Sequence, residues 1–168
     1  MVRILENGCK EVVEFTMQDA RDLYSFRKYL ETEAVKKLLA KKTKNYVPLL
    51  RVLNDCQEDS ENKDNWPTVD FDFHRSLVVM SGDRYLLSAY DSIEPTIKAL
   101  FSLNREFFQE NYFDDFYKNH ITIVRELLTD NLDNCTRCLR RHLDSALEKS
   151  LEMLENYKVG EPKEETEE

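Results

Sequence analysis

The sequence is short of the residues that make turns: its 168 positions hold three glycines and four prolines. Sandwiches, barrels and doubly wound sheets turn often and depend on Gly and Pro to do so, so the composition argues against them and favours long helices. No apolar run approaches the roughly 18–20 residues of a membrane span. The opening Met1-Val-Arg-Ile-Leu-Glu-Asn7 lacks the apolar stretch of a secretory signal. Cys9, Cys56, Cys135 and Cys138 are too few and too irregularly spaced for a disulfide scaffold, which points to a reduced, cytoplasmic protein with no membrane partner. Basic charge is outnumbered: 24 Lys and Arg face 33 Asp and Glu, a net charge of −9. A surface that grips nucleic acid by itself is normally basic, so this chain alone is a poor DNA binder.

The length suits one domain with a sizeable core. Residues 1–15 show no helical period and read as an extended segment. Thr16 and Asp19 form a capping-box pattern, with Phe15 and Ala20 placed as a hydrophobic staple, so a long helix should run to about Lys42. Its apolar stripe is Ala20, Leu23, Leu30, Ala34 and Leu38. A second helix should start near Asn45 with Pro48 in its first turn, followed by a polar loop over 57–65. Trp66-Pro67 opens a third helix that ends near Ser81-Gly82. A fourth should span Asp83 to Gln109 with a kink at Pro95, a fifth Phe113 to Leu128, and a sixth should continue past Thr129-Asp-Asn131 to about Tyr157. Residues 159–168 read as a disordered acidic tail. The expectation is an all-α bundle over 16–158.

Polar residues that interrupt the apolar stripes carry the functional signal. Asp70 and His74 lie one turn apart on the third helix beside Phe73, Leu77 and Met80. His120 sits mid-stripe among Phe113, Phe116, Val124 and Leu127, and His142 among Cys135, Leu139, Ala146 and Met153. The chain has three histidines, and each breaks the apolar face of a different helix. A lone core histidine is usually satisfied by a backbone carbonyl or an acid. Three with an aspartate, each needing partners in an apolar setting, would also be satisfied by one divalent ion such as Zn²⁺ or Ni²⁺. On the first helix Arg27 lies between Leu23 and Leu30, with Glu31 one turn later. The two either pair at the core edge or aim a guanidinium at an anionic ligand.

Several segments resemble the FCD domain, the C-terminal effector domain of FadR-like regulators in the GntR family. Arg27-Lys-Tyr-Leu30-Glu31 is similar to its R-x-x-L-E, and Asp70-Phe-Asp-Phe73-His74-Arg-Ser-Leu77 to its D-x-x-F-H-x-x-L. Ser81-Gly82-Asp83 stands where the family usually has S-G-N. Asn119-His120-Ile-Thr-Ile-Val124 resembles its E-H-x-x-I-x segment, and Leu132 to Leu143 its closing helix with the terminal H-L. The likeness spans about residues 16–155.

This resemblance implies an antiparallel bundle of six to seven helices enclosing a cavity. It also implies a divalent metal, zinc or nickel, held by Asp70, His74, His120 and His142. A small organic acid effector would bind at the open metal positions and against Arg27. It further implies a homodimer that reports to DNA through a winged helix-turn-helix, which is not expected in this chain. Two departures bear on the site: Asp83 replaces the usual Asn and adds an acid, and Cys138, one turn before His142, either packs in the core like Cys135 or faces the metal. No catalysis is expected. The alternatives are a helical dimerisation or interaction module without metal, and a metallohydrolase with Glu31 as general base.

Overall fold

The computed structural model describes the backbone at residues 2–4, 10–12, 15–58, 66–104 and 112–160, and side chains at 15–54, 68–101 and 118–156. Two short antiparallel strands, β1 (Val2–Ile4) and β2 (Lys10–Val12), pair with Val2 opposite Val12 and Ile4 opposite Lys10. The remaining described elements are seven helices, so the all-α expectation holds.

Helix α1 (Met17–Leu39) starts as its sequence dictates. The Thr16 hydroxyl accepts from the Asp19 amide at 3.1 Å and the Asp19 carboxylate accepts from the Thr16 amide at 2.9 Å, while Phe15 and Ala20 are both buried. The helix stops at Leu39 rather than at Lys42, because Ala40 caps it and the Lys41 amide turns back to the Leu38 carbonyl. The Lys41 ammonium then donates to the Met80 carbonyl at 2.8 Å, tying this end of α1 to the end of α3.

Helix α2 (Val47–Glu58) begins two residues later than Asn45, whose side chain accepts from the Val47 amide at 3.0 Å. Gln57 and Glu58 are helical, and the rest of the expected polar loop lies outside the described residues. Helix α3 runs Trp66–Ser81 as read.

The expected kinked helix over 83–109 is two helices, α4 (Arg84–Ser92) and α5 (Glu94–Asn104). Pro95 has no N–H to offer the Asp91 carbonyl, so the ladder breaks instead of bending. The Ile93 amide turns back to Tyr90, and the Ile97 amide restarts the ladder on Ile93. The stretch to Gln109 lies outside the described residues. Helix α6 is Tyr112–Leu128, and Asp130 at φ 57° carries the turn into α7 (Leu132–Gly160). The last helix therefore extends past Tyr157 into the segment read as tail, and residues 161–168 lie outside the described residues.

Helix α1 packs against both α3 and α7, with α2 on α3, α6 on α7, and α4 and α5 closing the remaining side of α3. The core joins Leu23, Leu30 and Leu38 of α1, Phe71, Phe73 and Leu77 of α3, Ile97 and Leu100 of α5, Leu127 of α6 and Leu139 and Leu143 of α7. Among the described residues no helix is long and apolar enough to cross a membrane. The faces of α1, α3, α6 and α7 that carry Arg27, Asp70, His74, His120 and His142 turn inward together.

Candidate metal centre

Helical spacing alone places Asp70 and His74 side by side on α3. The packing then brings His120 from α6 and His142 from α7 to the same point. One donor atom from each of the four lies within 4.8 Å of every other. His74 Nε2 is 3.0 Å from His142 Nε2 and 3.3 Å from His120 Nε2, and Asp70 Oδ1 is 3.6 Å from His74 Nε2 and 3.4 Å from His120 Nε2. Asp70, His74 and His120 are buried, while His142 is partly exposed. Phe73 fixes the His120 ring by stacking on it, centroids 3.9 Å apart.

The four separations of 3.0 to 3.6 Å fit one ion. Two nitrogens each about 2.1 Å from a common divalent metal stand about 3.0 Å apart at a right angle and about 3.4 Å apart at the tetrahedral angle. The donor set of three imidazoles and one carboxylate suits Zn²⁺, Ni²⁺ and similar ions. Direct hydrogen bonding serves the group less well, because three Nε2 atoms and a carboxylate oxygen share one small volume and a proton can lie on only one line between them at a time.

Behind the cluster stands a carboxylate. Glu31, wholly buried on α1, accepts from His74 Nδ1 at 2.6 Å, from Arg27 Nε at 3.2 Å and from the Tyr90 hydroxyl at 3.3 Å. With its Nδ1–H hydrogen-bonded to the Glu31 carboxylate, His74 in its neutral form directs the Nε2 lone pair at the other three donors. This is the carboxylate–histidine arrangement that orients metal ligands. Sequence reasoning placed Glu31 beside Arg27 and offered it as a general base, but missed this contact with His74. The spacing on α1 carries no information about which residue of α3 will face it. Tyr90 was missed as well, and nothing in the pattern of α4 singles it out.

The electrostatics split the histidines. Burial pushes His120 down to about 4, outweighing the attraction of Asp70. Burial, then the neighbouring His120 and His74, push His142 well below the ordinary histidine value. Both are thereby held neutral, the state a ligand needs. Burial opposes the charged form of His74 too, but Glu31 and Asp70 together outweigh it and raise that group. Burial likewise works against Asp70 and Glu31, yet His74 leads the partners that hold both carboxyls below their usual range.

Arg27 is buried on α1 with 1% of its surface exposed. Its guanidinium lies over the Tyr24 and Phe101 rings at 5.2 and 5.7 Å. Nε is bonded to Glu31, and Nη2 has no hydrogen-bond partner, with Asp70 Oδ2 at 3.7 Å from it. Burial would lower its pKa, but Tyr90, Glu31 and Asp70 more than compensate and keep it charged.

A family model of the FCD domain matches residues 22–145. The chain belongs to the FCD-domain family. The match contains Arg27, Glu31, Asp70, His74, His120 and His142. Comparison with solved structures finds a protein described as a GntR transcriptional regulator from Rhodococcus sp. RHA1, with TM-score 0.73 and 19% identity over 90% of this chain and 72% of that one. A GntR-family regulator from Pseudomonas syringae pv. tomato str. DC3000 gives TM-score 0.65 and 18% identity over 95% of this chain and 66% of that one. The metal-free FCD domain of TM0439, described as a transcriptional regulator, gives TM-score 0.67 and 14% identity over 86% of this chain and all of that one. A comparison with curated protein sequences finds no match.

The remaining candidate residues of this FCD domain lie elsewhere. The structure does not bring Asp83 to the cluster: its carboxylate caps α4 by accepting from the Tyr85 and Leu86 amides and pairs with Lys37 at 2.6 Å. The Lys37 contact leads in holding its carboxyl down at about 2. Cys138 is half-buried against the core and does not join the four donors, and burial pushes the Cys135 thiol up to about 12.

Proposed function

We propose that this FCD domain is the ligand-sensing, non-catalytic unit of a GntR-family transcriptional regulator. In this reading Asp70, His74, His120 and His142 hold a divalent ion, zinc or nickel, and a small carboxylic acid binds beside it. The observation that carries it is the convergence of three Nε2 atoms and one carboxylate oxygen from three helices, with Glu31 fixing the tautomer of His74. A bound ion with three nitrogen ligands and one oxygen ligand keeps positions open for an effector carboxylate. Arg27 Nη2, buried and without a hydrogen bond, suits the second carboxylate oxygen. The domain pairs as a homodimer, and the acid acts through its different affinity for two states of that dimer. A hydrolase would need a general base, and Glu31 is already committed to three donors.

The test is the metal content of untagged protein purified without added metal, with thermal melts before and after chelation. About one ion per chain is expected. Saturation at about a thousandfold over the dissociation constant stabilises by about 4 kcal/mol, so chelation should lower Tm clearly. A metal-free preparation whose Tm neither zinc nor nickel raises would overturn the metal reading.

A further inference from the structure

We propose that the effector of this domain is a monoanion, a carboxylic acid with one ionised group whose remaining polar groups are uncharged. The inference rests on the metal-and-acid reading above and narrows it by a charge count. Glu31 accepts from three donors and is therefore a carboxylate, and Asp70 is a carboxylate facing His120, His74 and Arg27. Arg27 supplies one positive charge, and metal-bound imidazoles are neutral. A divalent ion added to this set leaves a single positive charge, which one carboxylate cancels.

A second carboxylate would have no cation to meet. Arg27 is the one Lys or Arg side chain buried among the described residues. On α1, α3 and α5 other cations are at least partly exposed and already paired: Lys28 with Asp144, Lys37 with Asp83, Arg75 with Asp91 and Lys98 with Glu94. Besides the two carboxylates already counted, the polar groups adjoining Arg27 are neutral hydroxyls. Tyr24, whose ring underlies the guanidinium, stands 3.4 Å from Ser150 Oγ, and Tyr90 lies on Glu31. These can bind a hydroxyl or amide of the effector, but they cannot neutralise another charge.

The experiment is calorimetric titration of zinc-loaded and chelated protein at pH 7 with matched pairs of equal skeleton: succinamate against succinate, and malonamate against malonate. Metal content is measured after each titration, so that loss of the ion to a dicarboxylate is seen. The singly charged member of a pair should bind the zinc-loaded protein at least about tenfold tighter, since an uncancelled buried charge is costly. Its binding should disappear on chelation, where the positive charge is gone. A dicarboxylate that binds as tightly as its amide partner, with the ion retained, overturns the charge count and leaves carboxylate sensing intact. If neither member of any pair binds the zinc-loaded protein, the acid-sensing reading falls and the inference falls with it.

Discussion

Replacing Glu31 by Gln changes one atom and tests the whole inner arrangement. The carboxylate takes three donors at once: His74 Nδ1, Arg27 Nε and the Tyr90 hydroxyl. A glutamine keeps one acceptor oxygen and sets an NH₂ against at least one of these donors. The amide oxygen cannot serve both His74 and Arg27, because those two bond to opposite oxygens of the carboxylate. If the NH₂ faces His74, the imidazole must move its proton to Nε2, and that nitrogen stops being a ligand. Loss of such a supporting partner typically weakens metal binding by 10–100-fold, about 1.4–2.7 kcal/mol. If the NH₂ faces Arg27 instead, a buried guanidinium is left with Asp70 at 3.7 Å. Charge-assisted bonds contribute about 1.5–3 kcal/mol each, so either orientation should cost the metal-free protein about 2–3 kcal/mol.

The assay is zinc affinity by competition with a chromophoric chelator, beside urea unfolding of the chelated protein. Circular dichroism confirms that the helices remain. E31Q protein that folds normally and binds zinc with unchanged affinity would refute the argument that Glu31 sets the tautomer of His74.

Two further outcomes follow from the geometry. Because His120 is pushed down to about 4 and His142 is lowered in the same direction, the unfolded chain takes up their protons first as pH falls below about 6.5. Chelated protein should therefore lose stability between about pH 6.5 and 4, with His120 contributing up to about 3 kcal/mol. His74 has the opposite sign: its contribution to stability is complete below about 6.5 and is lost as pH rises from there through its raised folded-state value. Urea titrations at several pH values check this, and an acid limb unchanged in His120→Gln would count against it. Gly82 has φ +72°, and an added Cβ would come within 2.7 Å of Lys41 Nζ, which holds the Met80 carbonyl. Gly82→Ala should cost about 1–2 kcal/mol in chemical unfolding. Gly82→Asn should cost less, since Asn tolerates this conformation, and equal losses would place the cost in the contact rather than in the backbone.

Much of the site was legible because its residues violate a local rule. Asp70, His74, His120 and His142 each sit where a 3.6-residue period calls for an apolar side chain, and such a violation can be read without knowing what lies opposite. Glu31 breaks no such rule, because an arginine one turn earlier explains it. Its contact with His74 depends on how α1 lies along α3, and no residue of α1 records that. Asp83 misled in the other direction. An acid after Ser-Gly reads as an addition to a binding site, but one directly before a helix has its own local use as a cap, and Lys37 reaches it from α1 only in the folded chain. The α4–α5 boundary shows the limit for elements: Pro95 announces a disturbance, but whether a helix bends or breaks depends on whether Ile97 can restart the ladder.

The four converging donors also have a topological consequence. Asp70 and His142 belong to helices with α4, α5 and α6 between them in the chain. An ion gripping both would close that span as a covalent cross-link does, and in the chain-entropy description a loop of this length removes about 4 kcal/mol of freedom from the unfolded ensemble. Helix α7 could then not detach from α3 without surrendering the ion. Fraying of the bundle would become an all-or-none event, and a protease that cuts the opened chain would act at the rate of metal escape.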